Sequence, residues 1–258
     1  MTTTLAKTIG WKIEFGRNKA RGIIKGALTA LNLQALLKPL AKPAFRFYWL
    51  VSFLGWVAKN RSEVSGRIDS DRDSFYANFV QQLRLENESV HFMEFGVFRG
   101  DSIRWWSNHL KNAESVLWGF DTFTGLPEDW GSAPKGFFST QGKIPQIADS
   151  RVQFHKGMFQ KTLPPLLDEI RTTAKSKRLF LHLDADLYGS TLFVLMTLAP
   201  YLKSGDVLVF DEFCFVTHEY RAFVNFLESW NISLKLERAT TGYLQTAFTV
   251  VSVKTDME

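Results

Sequence analysis

The sequence predicts an α/β protein: a doubly wound, mostly parallel sheet of seven strands with an antiparallel C-terminal strand, preceded by a helical N-terminal arm. Three observations predict it. From about residue 70, short Val/Leu/Phe-rich runs alternate with stretches of helical period. Most runs are apolar throughout rather than alternating, as strands covered on both faces are. The last two, 232–238 and 243–253, are separated by four residues including Gly242. That is hairpin spacing, with no room for a helical crossover.

The elements follow in order. Phe75, Phe79, Val80 and Leu83 recur at helical spacing and mark a helix over 72–86. Residues 90–95 (VHFMEF) read as a strand, 101–111 as a helix and 116–121 (VLWGFD) as the second strand. A Gly/Pro-rich loop covers 122–149; its length favours a functional segment, such as a lid, or disorder over a plain connection. Three further strand–helix units follow: 151–155 with 162–174, 178–184 with 188–202, and 206–211 with 218–230.

The chain has 258 residues and a net charge of +5, unevenly distributed. Residues 1–67 carry twelve Lys/Arg and two Asp/Glu; residues 68–258 carry nineteen and twenty-four. A basic arm of 1–67 thus precedes a mildly acidic body of 68–258, and nothing in the body calls for nucleic acid. The single cysteine, Cys214, excludes an internal disulfide and fits a reducing, cytoplasmic setting. Within the arm, 7–26 is basic and 44–58 (AFRFYWLVSFLGWVA) is apolar and aromatic. Pro39 and Pro43 are expected to break the helix ahead of that stretch. Its fifteen residues are short of the roughly 20 a membrane span needs. A helix packed on the body, a segment lying at a membrane surface and, despite the short length, a true span remain open, the second making the protein peripheral to a membrane.

Three motifs carry chemistry, each at the carboxyl end of a strand, where open α/β sheets bind ligands. The first strand runs into Glu94-Phe-Gly96-Val-Phe-Arg-Gly100-Asp-Ser102. Gly96 and Gly100 allow a tight turn and close backbone approach, the following helix start presents N–H groups to an anion, Ser102 offers a hydroxyl, and Glu94 can accept from an ammonium. Together these suit an amino-acid zwitterion. The G-x-G-x-x-G fingerprint is absent. The second strand ends at Asp121, placed either to accept ribose hydroxyls or to serve as a helix cap or turn residue. Phe123 beside it is a candidate cover for an adenine face. The fourth strand ends in Asp184-Ala-Asp186 and the fifth in Asp211-Glu212. Carboxylates gathered at one sheet edge repel unless a cation or protons intervene, or unless they cap helices and pair with arginine. As hard oxygen ligands, Asp184, Asp211 and Glu212 suit Mg²⁺ or another divalent cation, with Asp186 in the following loop, placed either to bind substrate or to support the ligands. His155 and His182 read as core or wall residues, and His218 as a group near the mouth.

The blocks EFGVFRGDS, GFDTFTGLPEDW, FHKGMFQKTLP, LHLDADLYGST and VLVFDEF, in that order, resemble the macrocin O-methyltransferase family. The resemblance spans about residues 70–253. It implies a Rossmann-like fold and an S-adenosylmethionine-dependent O-methyltransferase acting, as several of the family do, on sugar hydroxyls of natural products. By similarity, Glu94, Gly96, Gly100 and Ser102 hold the methionine end of S-adenosylmethionine and Asp121 its ribose. Asp184, Asp211 and Glu212 match the family's magnesium ligands, with Glu212 standing where the family usually has Asp. The general base is expected to be Asp184, with Asp186 or His218 in reserve. The acceptor is expected to be a small-molecule sugar or polyol hydroxyl. A lipid-linked acceptor and a non-catalytic, S-adenosylmethionine-binding scaffold are the alternatives, and a homo-oligomer stays open.

Overall fold

The computed structural model describes residues 32–253 and, ahead of them, 19, 21, 22, 24–27, 29 and 30. The basic run 7–26 therefore lies largely outside the described residues. Two compact units divide the chain, Met1–Leu50 and Val51–Glu258.

The second unit holds one eight-stranded sheet, built from β1 (Ile68–Asp69), β2 (Val90–Phe95), β3 (Val116–Asp121), β4 (Val152–Lys156), β5 (Arg178–Leu183), β6 (Val207–Phe210), β7 (Ile232–Thr240) and β8 (Thr246–Val253). The order across the sheet is β1-β7-β8-β6-β5-β2-β3-β4. All pairings are parallel except those of β8, which runs antiparallel to both β6 and β7. The antiparallel C-terminal strand is thus present but sits inside the sheet. The eighth strand, β1, has only two residues, too few to leave a pattern in the sequence. Strands β2, β5 and β6 are buried almost throughout, which explains their unbroken apolar runs.

Helix α1 (Leu33–Asn60) precedes the sheet, followed by α2 (Arg72–Leu83), α3 (Asp101–His109), the short α4 (Phe159–Thr162) and α5 (Leu167–Thr173), then α6 (Tyr188–Leu198) and α7 (Glu219–Ser229). Asp71 caps α2, its carboxylate accepting the Ser74 N–H at 2.8 Å. Phe75, Tyr76, Phe79 and Val80 of α2 are buried and join Phe92, Trp106 and Phe180 in the main core. A buried acid, Asp206, secures the entry to β6: it accepts the N–H groups of Leu179 at 2.9 Å and Lys203 at 2.7 Å. Burial pushes that carboxyl up to about 6.

Pro39 and Pro43 do not break a helix; both lie inside α1. Each removes one backbone hydrogen bond and displaces a carbonyl. Residues 37–48 are exposed all along, so water can take up the carbonyls. In the second unit the end of α1 packs firmly. Phe53 and Trp56 meet a cluster of Phe213, Tyr220 and Tyr243 at ring separations of 5.0–6.4 Å. Phe53→Ala is expected to cost about 3–5 kcal/mol, measured by denaturant unfolding; a loss below 1 kcal/mol would mean that this contact does not hold the helix end.

Candidate active site

Strand register assembles the site. Phe95 pairs with Phe120 and with Leu183, and Leu183 with Phe210. One residue further on, Asp121, Gly96, Asp184 and Asp211 therefore form a row across the ends of β3, β2, β5 and β6. The ladder continues into that row: Gly96 N–H donates to Phe120 O at 2.9 Å, Asp184 N–H to Phe95 O at 3.0 Å and Asp211 N–H to Leu183 O at 2.9 Å. Strand order reverses between β2 and β5, so the row straddles the topological switch point. A cavity of about 250 Å³ opens there, lined by all four row residues together with Asp186 and Glu212.

Gly96 has φ +101°, and a Cβ on it would stand 1.7 Å from the Asp184 carbonyl oxygen. No side chain fits. Asp121 braces the turn that follows: Oδ2 accepts from Val97 N–H at 2.9 Å and Phe98 N–H at 2.8 Å, and Oδ1 from Phe123 N–H at 2.7 Å. Phe98 and Phe123 both have positive φ, a strained state these bonds help to hold. Asp121 therefore acts as a turn residue and also faces the cavity, with one lone-pair site, on Oδ1, left for a ligand. Phe123 itself is fully buried in the core and lines no part of the cavity, so it does not cover a ligand.

Glu94, Gly100 and Ser102 are buried and do not line the cavity. Gly100 starts α3 at φ +79°, where a Cβ would meet Pro145 at 2.9 Å. Glu94 lies 3.2 Å from His182 Nδ1. On the other side of that ring, His182 Nε2 is 2.8 Å from the Tyr76 hydroxyl, which donates to Asp211 Oδ1 at 3.1 Å. With its one hydrogen given to Asp211, the Tyr76 oxygen accepts from His182. A buried line thus joins Glu94 to Asp211. Burial raises the Glu94 carboxyl, against the pull of His182 and Ser102. His182 reads in the sequence as a core or wall residue, and it is one that links two acids.

Among the described residues, the carboxylates of Asp184, Asp186 and Glu212 come together, one oxygen of each within 4.8 Å of the others. Asp211 stands beside this trio, engaged by Tyr76 and 3.7 Å from Arg72 Nη1. Burial and then the neighbouring carboxylates hold Asp184 and Glu212 well above the ordinary acid range. Burial, with Asp211 and Asp121, pushes Asp186 up to about 7. Asp186 also has φ +58°, a strained conformation for a non-glycine residue. The set fits a divalent cation: ligand oxygens at about 2.0–2.6 Å from a common centre lie within such separations of one another. Glu219, at the start of α7, is fully buried and accepts the Glu212 N–H at 3.0 Å. Tyr76, Arg72 and Glu219 lie outside the sequence motifs. Only the placing of Glu219 soon after the acidic pair hinted at any of them. His218 does not line the cavity.

The loop 122–149 has no regular element beyond a bridge between Trp130 and Ala133. Backbone bonds nevertheless lace it: Leu126 N–H to Phe137 O at 2.9 Å and Gly142 N–H to Phe123 O at 2.7 Å. Leu126, Pro127 and Phe138 from this loop wall the cavity.

A doubly wound sheet with an inserted antiparallel last strand and a cavity at its switch point is the Rossmann-like methyltransferase fold. Comparison with known proteins agrees. Residues 93–213 match a family described as a methyltransferase domain. The mycinamicin III 3''-O-methyltransferase of Micromonospora griseorubida is 31% identical over 120 residues, 44% of this chain and 42% of that protein. The match thus spans less than half of that relative's length. Two solved structures share the fold. A calicheamicin methyltransferase has TM-score 0.50 and 22% identity, over 71% of this chain and 79% of its own. The O-methyltransferase NovP has TM-score 0.51 and 21% identity, over 68% and 78%. These matches bear out the family resemblance read from the motifs.

Two predictions follow from this geometry. Gly96→Ala forces Cβ into a backbone carbonyl and is expected to destabilise by more than about 3 kcal/mol; an unfolding midpoint equal to the parent's would refute the close approach. The second concerns pH. An acid whose folded pKa is raised keeps protons that the unfolded chain releases, so stability falls as pH rises between the two values. For Asp186 that window runs from 3.8 to about 7, worth ~4 kcal/mol at about 1.4 kcal/mol per unit. Without divalent cations, the protein should melt at a higher temperature at pH 5 than at pH 8. Added Mg²⁺ should raise the pH 8 value more. Equal melting at both pH values, with no response to Mg²⁺, would contradict a strained acidic cluster.

Proposed function

We propose that this chain is an S-adenosylmethionine-dependent O-methyltransferase acting on a hydroxyl of a small molecule, a sugar or polyol group. The observation that carries this reading is the row Asp121–Gly96–Asp184–Asp211 around a cavity in a methyltransferase domain. The curated relative, named for O-methylation at a 3'' position, supports the acceptor class.

In this reading the side-chain-free surface at Gly96 lets the cofactor lie against backbone. The one lone-pair site left on Asp121 accepts a ribose hydroxyl. Glu94, Gly100 and Ser102 stand behind the wall and shape the turn toward its methionine end. The cofactor supplies a methyl group on a sulfonium: transfer breaks the C–S bond and forms a C–O bond. Alignment of acceptor oxygen, methyl carbon and sulfur is the main contribution asked of the protein. The acceptor's proton passes to a carboxylate, Asp184 first and Asp186 as the alternative, both of which line the cavity. Asp184, Asp186 and Glu212 are the residues that would hold a divalent cation, with Asp211 alongside in place of the primary role its sequence position suggests. When bound there, the cation supplies positive charge that lowers the acceptor hydroxyl's pKa and orients it. The cavity-wall loop 122–149 limits water at the reacting atoms.

A second reading takes the acceptor to be lipid-linked or held at a membrane, favoured by the exposed aromatic residues of α1. A non-catalytic, cofactor-binding scaffold is the third. Methyl-labelled cofactor offered with a panel of sugars, glycosides and lipid-linked sugars, with and without chelator, separates them. Transfer to a soluble glycoside, lost on chelation, is the expected result. Cofactor binding with no transfer to any acceptor would favour the scaffold, and no cofactor binding by calorimetry would overturn the methyltransferase. Asp211→Asn should leave cofactor affinity within about twofold and lower kcat by at least about 100-fold. Asp121→Ala should weaken cofactor binding by about tenfold or more, a loss of roughly 1.5–3 kcal/mol for charge-assisted bonds. Parent-like behaviour of both variants would mean that the site lies elsewhere.

A further inference from the structure

Helix α1 presents, within the first unit, a surface that nothing in the methyl-transfer reading uses. Over residues 37–50 every side chain but that of Trp49 is exposed, Leu40 at 61%, Phe47 at 67% and Tyr48 at 64%. Side chains of this size are rarely left in water together on one helix. Their order is regular. Leu37, Leu40, Ala44 and Phe47 recur at three- and four-residue spacing, so they share one face, which Tyr48 extends. Lys38, Lys42 and Arg46 recur every fourth residue, and by the helical period they lie on the opposite side. The stretch 15–62 contains nine Lys/Arg and no Asp or Glu.

We propose that this part of α1 is a docking surface for an anionic lipid bilayer, lying in the plane of the interface. Three observations select this occupant. The face is aromatic as well as aliphatic, and rings of this kind settle at the headgroup boundary. All the neighbouring charge is positive, complementary to anionic lipid. The same stretch of a second copy would bring no acid to pair with these cations. The segment lies on the membrane rather than crossing it, since no helix among the described residues is long and apolar enough to span. The inference is independent of the methyl-transfer reading, because binding needs no turnover.

Flotation of the full chain tests it, using vesicles of phosphatidylcholine alone and of phosphatidylcholine with about one-third phosphatidylglycerol. Expected is co-flotation with the anionic vesicles only, reduced by high salt. Phe47→Ser with Tyr48→Ser, and separately Lys42→Glu with Arg46→Glu, should each weaken partitioning by more than about tenfold. Both pairs are exposed, so circular dichroism and the melting temperature should stay at the parent's values. No flotation with anionic vesicles overturns the proposal, and so does equal flotation of parent and variants. Equal binding to neutral vesicles overturns the charge argument. A dimer by light scattering that the aromatic pair abolishes, without vesicle binding, would assign the face to a second copy instead.

Discussion

The backbone of residue 96 runs so close to that of residue 184 that a Cβ would stand 1.7 Å from a carbonyl oxygen. Much of the site depends on that approach. It keeps β2 and β5 in register one residue past their formal ends, which puts Asp184 beside the turn of the first strand–helix unit. The same register carries sideways to Asp121 and Asp211. Alanine at 96 would therefore disturb more than one contact, since it would push apart the two strands between which the sheet order reverses.

Charge is the opposing constraint. Asp184, Asp186, Asp211, Glu212 and the buried Glu219 crowd one sheet edge. Burial and mutual repulsion together favour protons or a cation there. Part of the load is taken by groups outside the acidic motifs. Tyr76 and Arg72 reach Asp211 from α2, a helix that precedes the matched methyltransferase segment at 93–213. Through His182 the same tyrosine is linked to Glu94, so the two ends of the site share one buried polar line. A network of this kind is stable only when each member keeps its partner, which makes α2 part of the site as well as of the core.

Helix α1 changes character along its length. Near its end, Phe53 and Trp56 are enclosed by aromatic rings of the second unit. Earlier, Leu40, Phe47 and Tyr48 are open to solvent. One apolar stretch, 44–58, thus contains both a core-packing segment and an exposed one. Composition alone cannot separate the two, because both require large apolar side chains.

The sequence by itself determined the alternation of elements, the antiparallel last strand and the strand-end positions of Glu94, Gly96, Asp121, Asp184, Asp186, Asp211 and Glu212. These are local signals: apolar run length, glycine placement and acid at a fixed offset from a strand. Tertiary structure decided what depends on distance between remote residues. It placed β8 inside the sheet and added the two-residue β1. It carried α1 through Pro39 and Pro43, buried Phe123, and drew Asp186 rather than Asp211 into the carboxylate trio. It also brought Tyr76, Arg72 and Glu219 to the acids. The physical reason is that periodicity tells which face of an element is apolar but not which element will lie against it. That choice is made by strand register and by the packing of helices onto the finished sheet.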